Sequence, residues 1–88
     1  MKVYLVHCEY YDYDERVVGN MLLGIYSSMD KALEAQKRFV DEQIAECNEM
    51  YCDYLMSEDH NNNPCVTKII NGDAVEDNTF TIEEWFVN

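Results

Sequence analysis

Apolar positions along this chain recur at two spacings, and the change from one to the other sets its organisation. Residues 2–11, Lys-Val-Tyr-Leu-Val-His-Cys-Glu-Tyr-Tyr, are dense in β-branched and aromatic types and predict a strand. Asp12-Tyr13-Asp14-Glu15-Arg16 reads as a polar turn. A second strand is expected from Val17 to Tyr26, with Gly19 and Gly24 as bulge or close-approach positions. So short a connection makes the two strands an antiparallel hairpin.

From Met29 the period becomes helical. Ser27 and Ser28 offer an N-cap, and Asp30 falls in the first turn, where the helix dipole favours a negative charge. At 100° per residue, Ala32, Leu33, Phe39, Val40, Ile44, Cys47, Met50, Tyr51, Tyr54 and Leu55 share one arc of about 160°. No Gly or Pro interrupts this stripe, so it predicts one helix from Met29 to Leu55, roughly 40 Å long at 1.5 Å per residue. Residues 57–64, Ser-Glu-Asp-His-Asn-Asn-Asn-Pro, read as a polar loop, Cys65–Ile70 as a third strand and Asn71-Gly72 as a hairpin turn. Thr79–Val87 is the last expected strand, with Phe80 and Ile82 on one face and Thr81 and Glu83 on the other. The fold expected is α+β, an antiparallel sheet of three to four strands in the order β-β-α-β-β. One long amphipathic helix packs on one face, and residues 1–88 form a single domain.

Composition changes this picture little, but charge changes it a great deal. The apolar fraction of 48%, with seven Tyr, three Phe and one Trp, is too rich for a disordered acidic tail. The net charge of −12 is unevenly placed. Residues 1–38 carry five bases against six acids, whereas residues 39–88 carry Lys68 alone against twelve acids. Like charges on a small body oppose its compact state, so this concentration is of most use opposite a basic partner. Direct binding to nucleic acid or to an anionic membrane is disfavoured, because the surface repels phosphate. Met1-Lys2-Val3 runs straight into strand pattern with no secretory leader, so a cytoplasmic protein with reduced Cys8, Cys47, Cys52 and Cys65 is expected.

The opening Lys2-Val3-Tyr4-Leu5-Val6-His7, the Gly24-Ile25-Tyr26-Ser27-Ser28 run into Lys31-Ala32 and Glu34-Ala35, and the closing Phe80-Thr81-Ile82-Glu83-Glu84-Trp85 resemble small uncharacterised bacterial and phage α+β proteins. The resemblance covers the two ends of the chain and leaves out the acidic stretch between them. It implies a fold and a mobile-element setting, and no activity. In size and charge the chain is also similar to phage anti-defence proteins, anti-CRISPR proteins and other DNA mimics among them.

Glu42, Glu46, Glu49 and Asp53 fall at spacings of 4, 3 and 4, which on a continuous helix makes a single file of carboxylates. Neighbours in such a file destabilise a helix by some tenths of a kcal/mol per pair. An ordinary solvated helix would interleave Lys, and this one stops doing so after Arg38. The file, extended by Asp41, Glu58 and Asp59, is therefore the candidate partner-binding surface. It would imitate a phosphate backbone towards a basic nucleic-acid-binding protein, such as a nuclease or a defence effector complex. Tyr11, Tyr13 and Asp14 at the first hairpin offer a second, aromatic-acidic contact. The alternative is a small interaction module whose acidity serves solubility. It could be a homodimer formed through Thr79–Val87 as a sheet edge.

No cofactor, metal or catalytic residue is expected. Cys47, Cys52, His60 and Cys65 are the right types for structural zinc, but Cys47 and Cys52 would sit about 140° apart on a continuous helix. Cys47 reads more simply as a small core residue, and His7 as a packed or hydrogen-bonded one. Cys8–His60 or Cys65–His60 would lack an orienting third group. Asp12-x-Asp14-Glu15 lacks the glycine and the distal glutamate of a calcium loop.

Overall fold

The β-branched and aromatic opening forms β1, Lys2–Asp12, which turns through Asp12–Arg16 into β2, Val17–Tyr26. The Asp12 carboxylate ties this turn by accepting from the backbone N–H of Asp14 at 2.9 Å and of Glu15 at 3.1 Å. Both glycines of β2 are close-approach positions. A Cβ at Gly19 would strike the Tyr10 ring, and one at Gly24 would lie 2.6 Å from the Tyr26 hydroxyl oxygen. The register shifts between Val6 and His7, leaving Leu23 as the extra residue of a bulge in β2. All 88 residues are described by the structure, a computed structural model.

Ser28 caps α1, Met29–Glu49, its hydroxyl accepting from the Lys31 N–H at 3.2 Å. Ala32, Ala35, Gln36, Val40 and Cys47 are buried, a stripe at helical spacing, whereas Leu33 is half exposed. Gln36 occupies a core position because its amide donates to the Phe80 carbonyl at 2.7 Å.

The helix stops six residues short of the expected end. Met50 is the C-cap and Tyr51 takes a left-handed conformation, φ 55°. The Cys52 N–H reaches the Cys47 carbonyl at 2.9 Å and the Tyr51 N–H reaches Asn48 at 3.2 Å. This is a Schellman closure, a motif that usually places glycine where Tyr51 stands. Residues 53–58, placed by their spacing on the helix and its loop, instead form β3, Asp53–Glu58, an added outer strand paired with β4, Pro64–Ile70. Asn71 and Gly72, both with positive φ, turn β4 into β5, Asp73–Phe86.

The expected three to four strands in β-β-α-β-β order are therefore corrected to β-β-α-β-β-β. All five strands lie in one antiparallel sheet, ordered β2-β1-β5-β4-β3, with the single helix on one face. The class remains α+β in a broad sense. The expected edge strand at Thr79–Val87 also needs correction. β5 stands in the middle of the sheet and pairs with β1 from Lys2–Phe86 to Asp12–Glu76. Since β4 reaches only as far as the Cys65–Thr79 pair, Phe80–Phe86 has β1 on one side and no strand on the other.

Under the helix the core is thin. Ten residues are buried; seven form two clusters, one of Cys8, Val40, Val66 and Phe80 and one of Val6, Ala32 and Ala35, and Gln36, Cys47 and Asn78 are the others. Leu23 and Phe39 pack against both and join them. No helix is long and apolar enough to cross a membrane.

Candidate partner-binding site

α1 runs back along β1, so its C-terminal half and the turn end of the β1–β2 hairpin meet. Between them lies an open cleft of about 420 Å³. Its floor is apolar, with Cys8, Leu23, Phe39 and Phe80, and four carboxylates line it: Asp12 from β1, Glu42 and Glu46 from α1, and Glu76 from β5. Asn78, nearly fully buried, braces the wall, its amide donating to Glu76 at 3.0 Å and its oxygen accepting from the Cys8 thiol at 3.6 Å. Burial, aided by the negative charge of Glu76, pushes the Cys8 thiol up to about 11, so it is a neutral donor.

The same end of the molecule gathers further acids. Asp14 and Glu15 come from the β1–β2 turn and Glu49 from the last turn of α1, while Asp53 at the head of β3 pairs with Ile69 beside Ala74, next to Asp73. Arg16 and Lys68 are the bases at this end besides Arg38. Arg38 approaches Glu42 at 4.0 Å, an exposed pair of little energetic weight.

The structure thus brings Glu42, Glu46, Glu49 and Asp14 of the expected surface to one end, with Asp53 joining them from a strand and not from the helix. The single helical file of four is overturned, because the Schellman closure ends the helix before Asp53. Glu58 and Asp59 lie apart, since Glu58 pairs with Pro64 at the far end of β3. Asp59 is engaged locally, accepting from the backbone N–H of Asn61 and Asn63, each at 2.9 Å, and from the Asn63 amide at 3.0 Å, which holds its carboxyl below the usual range. Asp41 is exposed on α1 and makes no polar contact. The Tyr11 and Tyr13 rings pack at a tilt of 58° with centroids 4.9 Å apart, and the Tyr13 hydroxyl donates to Asp77, which also accepts from Thr67 at 2.6 Å. That bond to Asp77 raises the Tyr13 phenol above its ordinary value.

Asp12, Glu76 and Asn78 were not among the expected site residues. The alternation seen at Phe80 and Ile82 carries back two residues at a time to Asn78 and Glu76 once β5 is known to begin at Asp73.

His7 is held as expected, with Nδ1 3.1 Å from the Asn20 amide oxygen. Its Nε2 lies 3.2 Å from a Glu83 carboxylate oxygen, near enough for an ion pair but not aligned as a hydrogen bond. Ending the helix before Cys52 removes the geometric objection to zinc. Even so, no three His, Cys, Asp or Glu side chains are grouped to hold a metal ion, and all four cysteines are free. Cys47 is buried in the core, and His60 contacts the Asn61 amide and neither Cys8 nor Cys65. Comparison with protein-family models, with curated proteins and with solved structures gave no match.

Proposed function

We propose that this chain is a non-enzymatic acidic binding protein that occupies the nucleic-acid-binding surface of a basic target protein, presenting carboxylates where phosphates would sit. A phage-encoded inhibitor of a host nuclease or defence complex, of the anti-CRISPR kind, is the setting that suits it. One observation carries the reading: carboxylates from β1, α1, β3 and β5 converge on one end of the molecule, around a cleft, almost without bases. Scattered acids would serve solubility equally well. Gathering them on one end concentrates the field and favours association with a groove lined by Arg and Lys. The placement is also unfavourable to the protein itself. Glu46 and Glu49 occupy the last turn of α1, which has no base, where the helix dipole opposes negative charge.

The test is capture of partners by tagged protein from host lysate at low and at high salt, read by mass spectrometry. The expected result is a nucleic-acid-binding protein retained at low salt and released at high salt. Glu42→Lys with Glu46→Lys should lose that protein while the circular dichroism spectrum stays unchanged. Retention of the same partner by the folded double variant would remove this end of the molecule from the interface.

A further inference from the structure

The sheet has three stretches of free strand edge, and they are not alike. β3 is six residues long and begins and ends on an acid, two devices that discourage pairing with another chain. The free side of β5, Phe80–Phe86, carries Glu83 and Glu84 in succession. β2 has ten residues and no charge, the one element of this chain without any. Its large apolar side chains lie in the open: Val18 is 75% exposed, Ile25 60%, Met21 56% and Leu22 49%. It pairs with β1 on one side and with nothing on the other. The bulge at Leu23 interrupts its far end and leaves Val17–Leu22 regular. A long, apolar, uncharged edge is a template for another strand.

Charge decides which strand. At its Tyr26 end β2 is flanked by two bases, with the Arg38 guanidinium 3.4 Å from the Tyr26 hydroxyl and the Lys31 ammonium 3.4 Å from the Ser27 hydroxyl, Asp30 being the acid beside them and Glu42 lying 4.0 Å from Arg38. At its Val17 end it is flanked by three acids, Asp12, Asp14 and Glu15, against the single base Arg16. An antiparallel pairing of two copies about a twofold axis within Val17–Leu22 lays the basic end of each beside the acidic end of the other, twice. A parallel pairing would set acid against acid. We propose that β2 is the edge through which two copies of this chain associate, antiparallel, into a continuous ten-stranded sheet. The basic patch that a separate acidic partner would meet is thereby taken up by the protein itself, against the acids of the hairpin turn, while Glu42, Glu46 and Glu76 of the cleft, carried on α1 and β5, are not part of the β2 edge.

Sedimentation of the purified full chain over a range of concentrations should give a species of twice the 10.4 kDa chain mass. Leu22→Lys should return it to the monomer with its circular dichroism unchanged. Two charge variants test the arrangement without touching the strand. Lys31→Glu with Arg38→Glu, and separately Asp14→Lys with Glu15→Lys, should each weaken self-association by at least about tenfold. An equal mixture of the two should restore the dimer, since each then supplies the charge the other lacks. A monomer at every concentration overturns the proposal. So does a dimer that the strand and end variants leave intact, or a mixture that fails to restore what each variant lost.

Discussion

Tyr51 stands almost fully exposed in a left-handed conformation that suits glycine. A bulky side chain there costs roughly 1 kcal/mol of backbone strain and gains no packing in return. Tyr51→Gly should therefore stabilise the fold by about 1 kcal/mol, seen as a higher midpoint in urea, provided the added chain entropy of glycine does not consume the gain. An unchanged or lower midpoint would mean that the strain is smaller than that entropy. The cysteines differ at the same scale. Cys8, raised from 9.0 to about 11, has about a hundredfold less thiolate at neutral pH than an ordinary thiol. Cys47 is raised in the same direction, chiefly by burial. Iodoacetamide should then modify Cys52 and Cys65, both partly exposed, well before Cys8 and Cys47, with the order read by peptide mass spectrometry.

At the scale of elements, α1 ends on acids where its dipole asks for bases. Glu49→Lys should stabilise the protein by about 0.3–1 kcal/mol at low ionic strength, an effect that shrinks as salt is added. Thermal melts at two salt concentrations check this. The elements also show how far the sequence could be read. β1, β2, the Ser28 cap, the helix as far as Cys47 and the Asn71-Gly72 turn were legible, because each rests on local rules of period, cap or turn chemistry. The helix end was not, because its stop is a tyrosine in a glycine's conformation and carries no local mark. That single misreading moved Tyr54 and Leu55 from an edge strand to an imagined core stripe. It drew Asp53 into a helical file that does not exist, and it hid β3. The cleft was illegible for another reason. Asp12, Glu46 and Glu76 are brought together only by the pairing of β1 with β5 and the packing of α1 over them, and no spacing in the chain encodes that.

For the whole molecule, the net charge of −12 on a thin core should make stability rise with salt. Repulsion among the gathered carboxylates is screened over about 10 Å at 0.1 M, whereas the unfolded chain, being expanded, gains less from the same screening. The urea midpoint should climb between low and physiological ionic strength. A midpoint that falls would show favourable pairs outweighing the repulsion.

The placing of β5 between β1 and β4 has a consequence in time. β1 is made before β5 and must wait for it, since their register joins Lys2 to Phe86. Until then the β1–β2 hairpin and α1 can form only a partial layer, because Phe80 and Val66 of the core have not yet been brought in. Closing so long a loop before its contacts can compensate puts refolding in the millisecond-to-second range expected of sheet proteins dominated by distant pairings. On the ribosome, the sheet would stay unfinished until β5 became free to pair with β1.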